Sequence, residues 1–130
     1  MKTIGLIGGM SWESSKLYYE FLNTRVKDIL GGSHSAKCAM VSVDFAEIER
    51  LTFKGDWNAI GELMKHAAQQ LERAGADVIL LCTNTIHLVS HFISDNVSMP
   101  FLHIASATGE SIRKDGVKIV APLGTKCTME

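Results

Sequence analysis

Cys82 follows the apolar run Asp77-Val78-Ile79-Leu80-Leu81 and is followed at once by Thr83-Asn84-Thr85 and then His87. That places a thiol at the carboxyl end of a buried strand, the edge at which open α/β sheets bind their ligands. A helix starting there presents its positive end, so the thiol can titrate towards thiolate near neutral pH and act as an acid or base. A free cysteine is also among the most buried residue types, and small polar residues at a helix start are ordinary caps. Position alone leaves both readings open.

A second feature is the turn Gly5-Leu6-Ile7-Gly8-Gly9-Met10-Ser11. Such a strand-to-helix turn either offers backbone N–H groups to an anion or is a tight turn in which Ser11 caps the helix. It lacks the G-x-G-x-x-G spacing of a dinucleotide site, and no Gly-Lys-Ser/Thr follows, so a carboxylate fits as well as a phosphate. His87 and His91 are spaced to share a helix face as a metal pair, but Leu88 stands where a zinc protease needs glutamate, and no metal is assigned. Asp44 closes a strand, where it would orient an ammonium group or start a turn. Thr125, with Thr128 and Cys127 near it, follows the last predicted strand and could face the same edge. Cys38 reads as core, and His34, His66 and His103 carry no specific signal.

The elements that must position these residues alternate along the chain. Residues 3–7 form a first strand closed by glycines. Tyr18, Leu22, Val26, Ile29 and Leu30 mark a helix that stops at Gly31-Gly32. Residues 36–43 form a second strand, and a helix runs from Trp57 to Ala74, with Gly75 as its stop. Residues 77–81 form a third strand, 85–93 a helix and 101–104 a fourth strand. Residues 107–114 form a polar helix and 117–121 a fifth strand. No element is assigned between Asp44 and Trp57. The alternation predicts an α/β fold, a parallel sheet with helices on both faces.

The chain has 130 residues, 46% of them hydrophobic and 21% charged, which suits one domain with a sizeable core. Thirteen basic residues meet 14 acidic ones, giving a net charge of −1 and no basic stripe for nucleic acid. No apolar stretch approaches the roughly 20 residues of a membrane span. The chain opens without a signal-peptide pattern. The three cysteines are far apart and odd in number, which points to a reduced, cytoplasmic setting rather than a disulfide framework.

Six segments together resemble the aspartate/glutamate racemase family. They are Gly8-Gly9-Met10-Ser11-Trp12-Glu13-Ser14, Gly31-Gly32-Ser33-His34-Ser35-Ala36, Ser42-Val43-Asp44-Phe45, Cys82-Thr83-Asn84-Thr85 with His87, Pro100-Phe101-Leu102-His103-Ile104, and Leu123-Gly124-Thr125 with Thr128-Met129-Glu130. The resemblance implies a cofactor-independent amino-acid racemase with two similar α/β domains, each giving one cysteine to the cleft between them. It makes Cys82 the catalytic cysteine of the first half. Met10, Ser11, Thr83, Asn84, Thr85 and Thr125 become substrate contacts, and no cofactor is required. On this reading residues 1–116 are the first racemase domain and 117–130 begin a second, largely missing one.

The chemistry suits the residue types, since α-proton removal needs a base whose pKa lies near the operating pH. Inversion needs a second acid on the opposite face, and the Gly-Cys-Thr-Glu-like motif that carries the family's second cysteine does not occur in these 130 residues. The truncated chain is therefore expected to be inactive alone, with a small amino acid as its ligand. Uncovered apolar surface favours a homo-oligomer. The sequence departs from the family pattern at Thr52, where a side-chain-binding Gln or Arg is expected, at Ile86 and at Cys127. The rival expectation is a non-catalytic ligand-binding or oligomerising remnant of that family. A thiol hydrolase or redox role lacks a C-x-x-C pair and an oxyanion motif.

Overall fold

A computed structural model describes residues 1–121, 123 and 124. The elements run β1 (Ile4–Gly8), α1 (Trp12–Leu30), β2 (Cys38–Ser42), α2 (Phe45–Lys54), α3 (Trp57–Arg73), β3 (Val78–Leu81), a 3₁₀ helix (Thr85–Val89), α4 (His91–Ser94), β4 (Phe101–Leu102) and α5 (Ile104–Lys114). The strands pair in parallel in the order β2-β1-β3-β4. The order reverses between β1 and β3, and in such sheets ligands bind outside the carboxyl ends of the strands flanking that reversal. The turn at Gly8–Ser11 and the segment at Cys82 both leave the sheet there.

One side of the sheet carries the core. Ile7, Ile79 and Leu81 pack on Ile60, Met64, Ala67, Ala68 and Leu71 of α3, with Ile48 and Leu51 of α2 and Ile86, Val89 and Ile93 closing the layer. The α3 pattern follows from apolar residues three and four apart, which line one face of a helix. Gly61 lets the ring of Phe92 lie directly on the α3 backbone, where a Cβ would collide with it. The opposite side is thinner. There α1 buries only Ser15, while Trp12 and Phe21 are 63% and 66% exposed. The described helices α1 to α5 include none long and apolar enough to cross a membrane.

Four readings of the sequence need correction. The predicted helix over 85–93 is a 3₁₀ turn followed by the short α4. Residues 117–121 are not a strand, and Ile119 is 89% exposed. The edge strand β4 is two residues long and offers almost no ladder for a fifth strand to join. Between Asp44 and Trp57 the chain forms α2, a full helix with Asp44 as its cap. Cys38 is half-buried on the edge strand β2 beside Met40 and Trp12, outside the core.

Candidate active site

The turn after β1 is shaped by Gly9. Its φ is +96°, and a Cβ there would run into the backbone of Val43, so glycine is required. The Gly9 N–H donates to Ser15 Oγ over 2.9 Å and is thus spent inside the protein rather than offered to an anion. Ser11 occupies the N-cap position of α1 but makes no side-chain cap bond. Its hydroxyl instead bonds to Glu13, which holds that carboxyl below the usual carboxylate range.

From this turn a cavity of about 400 Å³ opens toward α2. Met10 and Ser11 line it from the turn after β1, Thr83, Thr85 and Ile86 from the segment after β3, and Phe45, Ile48, Glu49, Thr52 and Phe53 from α2. The sheet therefore brings Met10, Ser11, Thr83 and Thr85 together. Asn84 is not among the lining residues, and its carbonyl accepts from the His87 backbone N–H over 3.0 Å. Thr125 lies outside the described residues. Thr52, at the expected side-chain-binding position, donates its hydroxyl to the Ile48 carbonyl over 2.8 Å. Neither lysine nor arginine lines the cavity among the described residues, so a ligand carboxylate would meet the hydroxyls of its wall and would have to keep clear of Glu49.

Cys82 does not line this cavity. Its backbone N–H donates to the Ile7 carbonyl over 2.8 Å and its side chain is 0% exposed. Burial pushes the thiol up to about 12, opposite to the shift a helix N-terminus would give. The cause is desolvation, and the segment that follows does little to oppose it. Thr85–Val89 is one 3₁₀ turn rather than an α-helix, so little dipole points at the sulfur to oppose desolvation. Tyr18 of α1 is raised by its own burial and then by the nearby Cys82 charge, which locates the thiol on the α1 side of the sheet.

Asp44 serves as the N-cap of α2, accepting from the Ala46 N–H over 3.1 Å, which is the turn role of its two readings. His87 is buried on the 3₁₀ helix while His91 is exposed on α4, and the described residues contain no cluster of three or more metal-ligating side chains. Two contributors went unassigned in the sequence. The cavity wall of α2 was signalled by Asp44 ahead of Ile48 and Leu51 and by the Lys54-Gly55 stop. Tyr18 was signalled by its i, i+3 spacing from Ser15, which puts both toward the sheet.

The sequence profile of the Asp/Glu/hydantoin racemase family matches residues 7–130. A candidate Asp/Glu racemase from Yersinia pestis has 52% identity and a TM-score of 0.96, over 100% of this chain and 56% of its own. An aspartate racemase homologue from Pyrococcus horikoshii OT3 has 35% identity and a TM-score of 0.84, over 99% of this chain and 56% of its own. The aspartate racemase of Picrophilus torridus, at 20% identity and a TM-score of 0.65 over 98% of this chain and 84% of its own, shares the fold. The chain thus spans 56% of the length of the first two structures.

Proposed function

We propose, for a chain that belongs to the Asp/Glu/hydantoin racemase family, that it is the cysteine-bearing first half of a cofactor-independent racemase acting on an acidic or related amino acid. The observation that carries this reading is the cavity at the strand-order reversal, with hydroxyl-bearing Ser11, Thr83 and Thr85 on its wall and Cys82 next to Thr83 in the chain. Ser11 would exchange Glu13 for a substrate carboxylate, with the backbone around Thr83 as a further donor. Cys82 Sγ would take the α-proton, leaving a planar carbanion, and an acid on the far side would return a proton to invert the centre.

The raised thiol sets a condition on that chemistry. Three units above the ordinary 9.0 correspond to about 4 kcal/mol against forming the thiolate. A substrate ammonium about 4 Å from the sulfur supplies attraction of about 4 kcal/mol at an effective dielectric of 20. Substrate binding would therefore create the base that acts on it. The described lining of the cavity holds no thiol that could act from the face opposite Cys82, so these 130 residues alone are expected to exchange one enantiomer's α-proton without racemising.

Deuterium incorporation into D- and L-aspartate and glutamate, followed by NMR, tests this. Slow exchange of one enantiomer that vanishes in Cys82→Ser supports it. Unchanged exchange in that variant removes Cys82 from the role, and rapid racemisation by the chain alone refutes the inactivity. A second reading, a non-catalytic ligand-binding or self-associating domain, is favoured by the exposed Trp12 and Phe21 on α1. Calorimetry with both amino acids, together with sizing in solution, separates it from the first.

A further inference from the structure

His87 is 7% exposed and hydrogen-bonds through both ring nitrogens. Nδ1 lies 3.2 Å from the Asn84 carbonyl oxygen, and the Ile104 N–H donates to Nε2 over 3.4 Å. A carbonyl only accepts and a backbone N–H only donates, so these partners assign a neutral ring carrying its proton on Nδ1. Asn84 belongs to the segment immediately after Cys82, and Ile104 is the first residue of α5. One imidazole thus ties two elements that are otherwise separate in the sequence. We infer that His87 is a positioning residue, a latch that holds the Cys82-Thr83-Asn84 segment against the start of α5 while neutral and releases it when doubly protonated. What the held segment does rests on the racemase reading, but the latch itself does not.

A second proton cannot be accommodated in place. It would point Nε2–H at the Ile104 N–H, donor against donor, and set a cation at the positive end of α5. His103 stands beside it, with ring centroids 4.5 Å apart, and its own Nδ1 accepts the next α5 donor, the Ala105 N–H, over 3.1 Å. Two imidazoles therefore cap successive N–H groups of one helix, and the His103 ring disfavours charge on His87.

Besides Asn84, the Thr83 backbone favours a proton on the ring, but desolvation outweighs both. From β4 the ring of Phe101 lies 5.7 Å away, and the α3 side chains in the shared core are apolar. At the end of β3 the thiol of Cys82 is held protonated. Tyr18 of α1 and Glu110 of α5 border the adjoining cavity beside His103. Burial, and then the His103 charge, hold His87 below the ordinary histidine value. Release is accordingly an acid-side event.

The test reads the segment through Cys82 itself, using a dipyridyl disulfide, a reagent that reacts with thiols in mild acid. Labelling is mapped by peptide mass spectrometry as the ratio of Cys82 to the half-buried Cys38, which cancels the general pH dependence of the reagent. In the unmodified chain the ratio should be low near neutrality and rise roughly tenfold in mild acid, as expected for losing the one buried hydrogen bond that a second proton blocks, the Ile104 N–H to Nε2. His87→Gln keeps a donor and an acceptor but cannot titrate, so its ratio should stay low throughout. His87→Leu should be high throughout, and His103→Gln should keep an acid rise.

An acid rise persisting in His87→Gln overturns the proposal, as does an unchanged ratio in His87→Leu. If the leucine variant does not fold, the glutamine comparison decides alone. Deuterium exchange into an amino acid reports separately on the racemase reading. A chain that shows acid release without exchange keeps the latch and loses the enzyme.

Discussion

The buried thiol of Cys82 should make the fold sensitive to alkali in a calculable way. Its folded value of about 12 lies above the ordinary 9.0 expected once the chain unfolds. Between those values the unfolded thiol has lost its proton and the folded one has not, so stability falls as pH rises through this window. The loss is negligible at about pH 8, about 1.4 kcal/mol at pH 10, and at most about 4 kcal/mol by pH 12. With a urea dependence of about 2 kcal/mol/M, the unfolding midpoint should drop by roughly 0.7 M between pH 8 and pH 10. Tyrosines and lysines also titrate there, so the informative quantity is the difference in that drop between the unmodified chain and Cys82→Ser. The serine variant should lose about 1.4 kcal/mol less over the same interval, whatever its absolute stability. Parallel drops in the two proteins would refute the argument, because they would mean that the native thiol ionises like a free one. The same experiment at saturating amino acid adds a functional arm. A bound ammonium that offsets the desolvation of the sulfur should erase the difference between the two proteins.

Three further outcomes follow from the packing. Gly61→Ala forces a Cβ into the ring of Phe92, and it should destabilise the chain by about 1–3 kcal/mol in urea unfolding even though alanine is the better helix former. Met64→Ala empties a position that is 0% exposed at the centre of the α3 layer, and calorimetric or urea unfolding should register a loss of about 2–5 kcal/mol. Asp44→Ala removes the side-chain bond to the Ala46 N–H; it should cost about 1 kcal/mol and, because α2 walls the cavity, weaken amino-acid binding measured by calorimetry. Unchanged binding in that variant would show that the start of α2 does not shape the ligand site.

The sequence by itself determined the parallel α/β plan, because apolar runs closed by glycines and helical stripes of apolar residues are local patterns that report which faces must be buried. It also placed Met10, Ser11, Thr83 and Thr85 at one edge of the sheet, since each directly follows a strand and parallel strands end on the same side. The cap role of Asp44 was one of two legible alternatives, and α2 was missed although its cap and stop were written in the chain.

What tertiary structure decided was the environment of each group. A thiol's titration depends on the water removed around it, and the 0% exposure of Cys82 is set by α1 and the neighbouring strands, far away in sequence. The missing fifth strand depended on a partner edge that β4 is too short to provide. The pairing of His87 with the Ile104 N–H joins residues 17 positions apart. No local pattern encodes that pairing, because it exists only once β4 has docked beside β3 and brought the start of α5 to the ring.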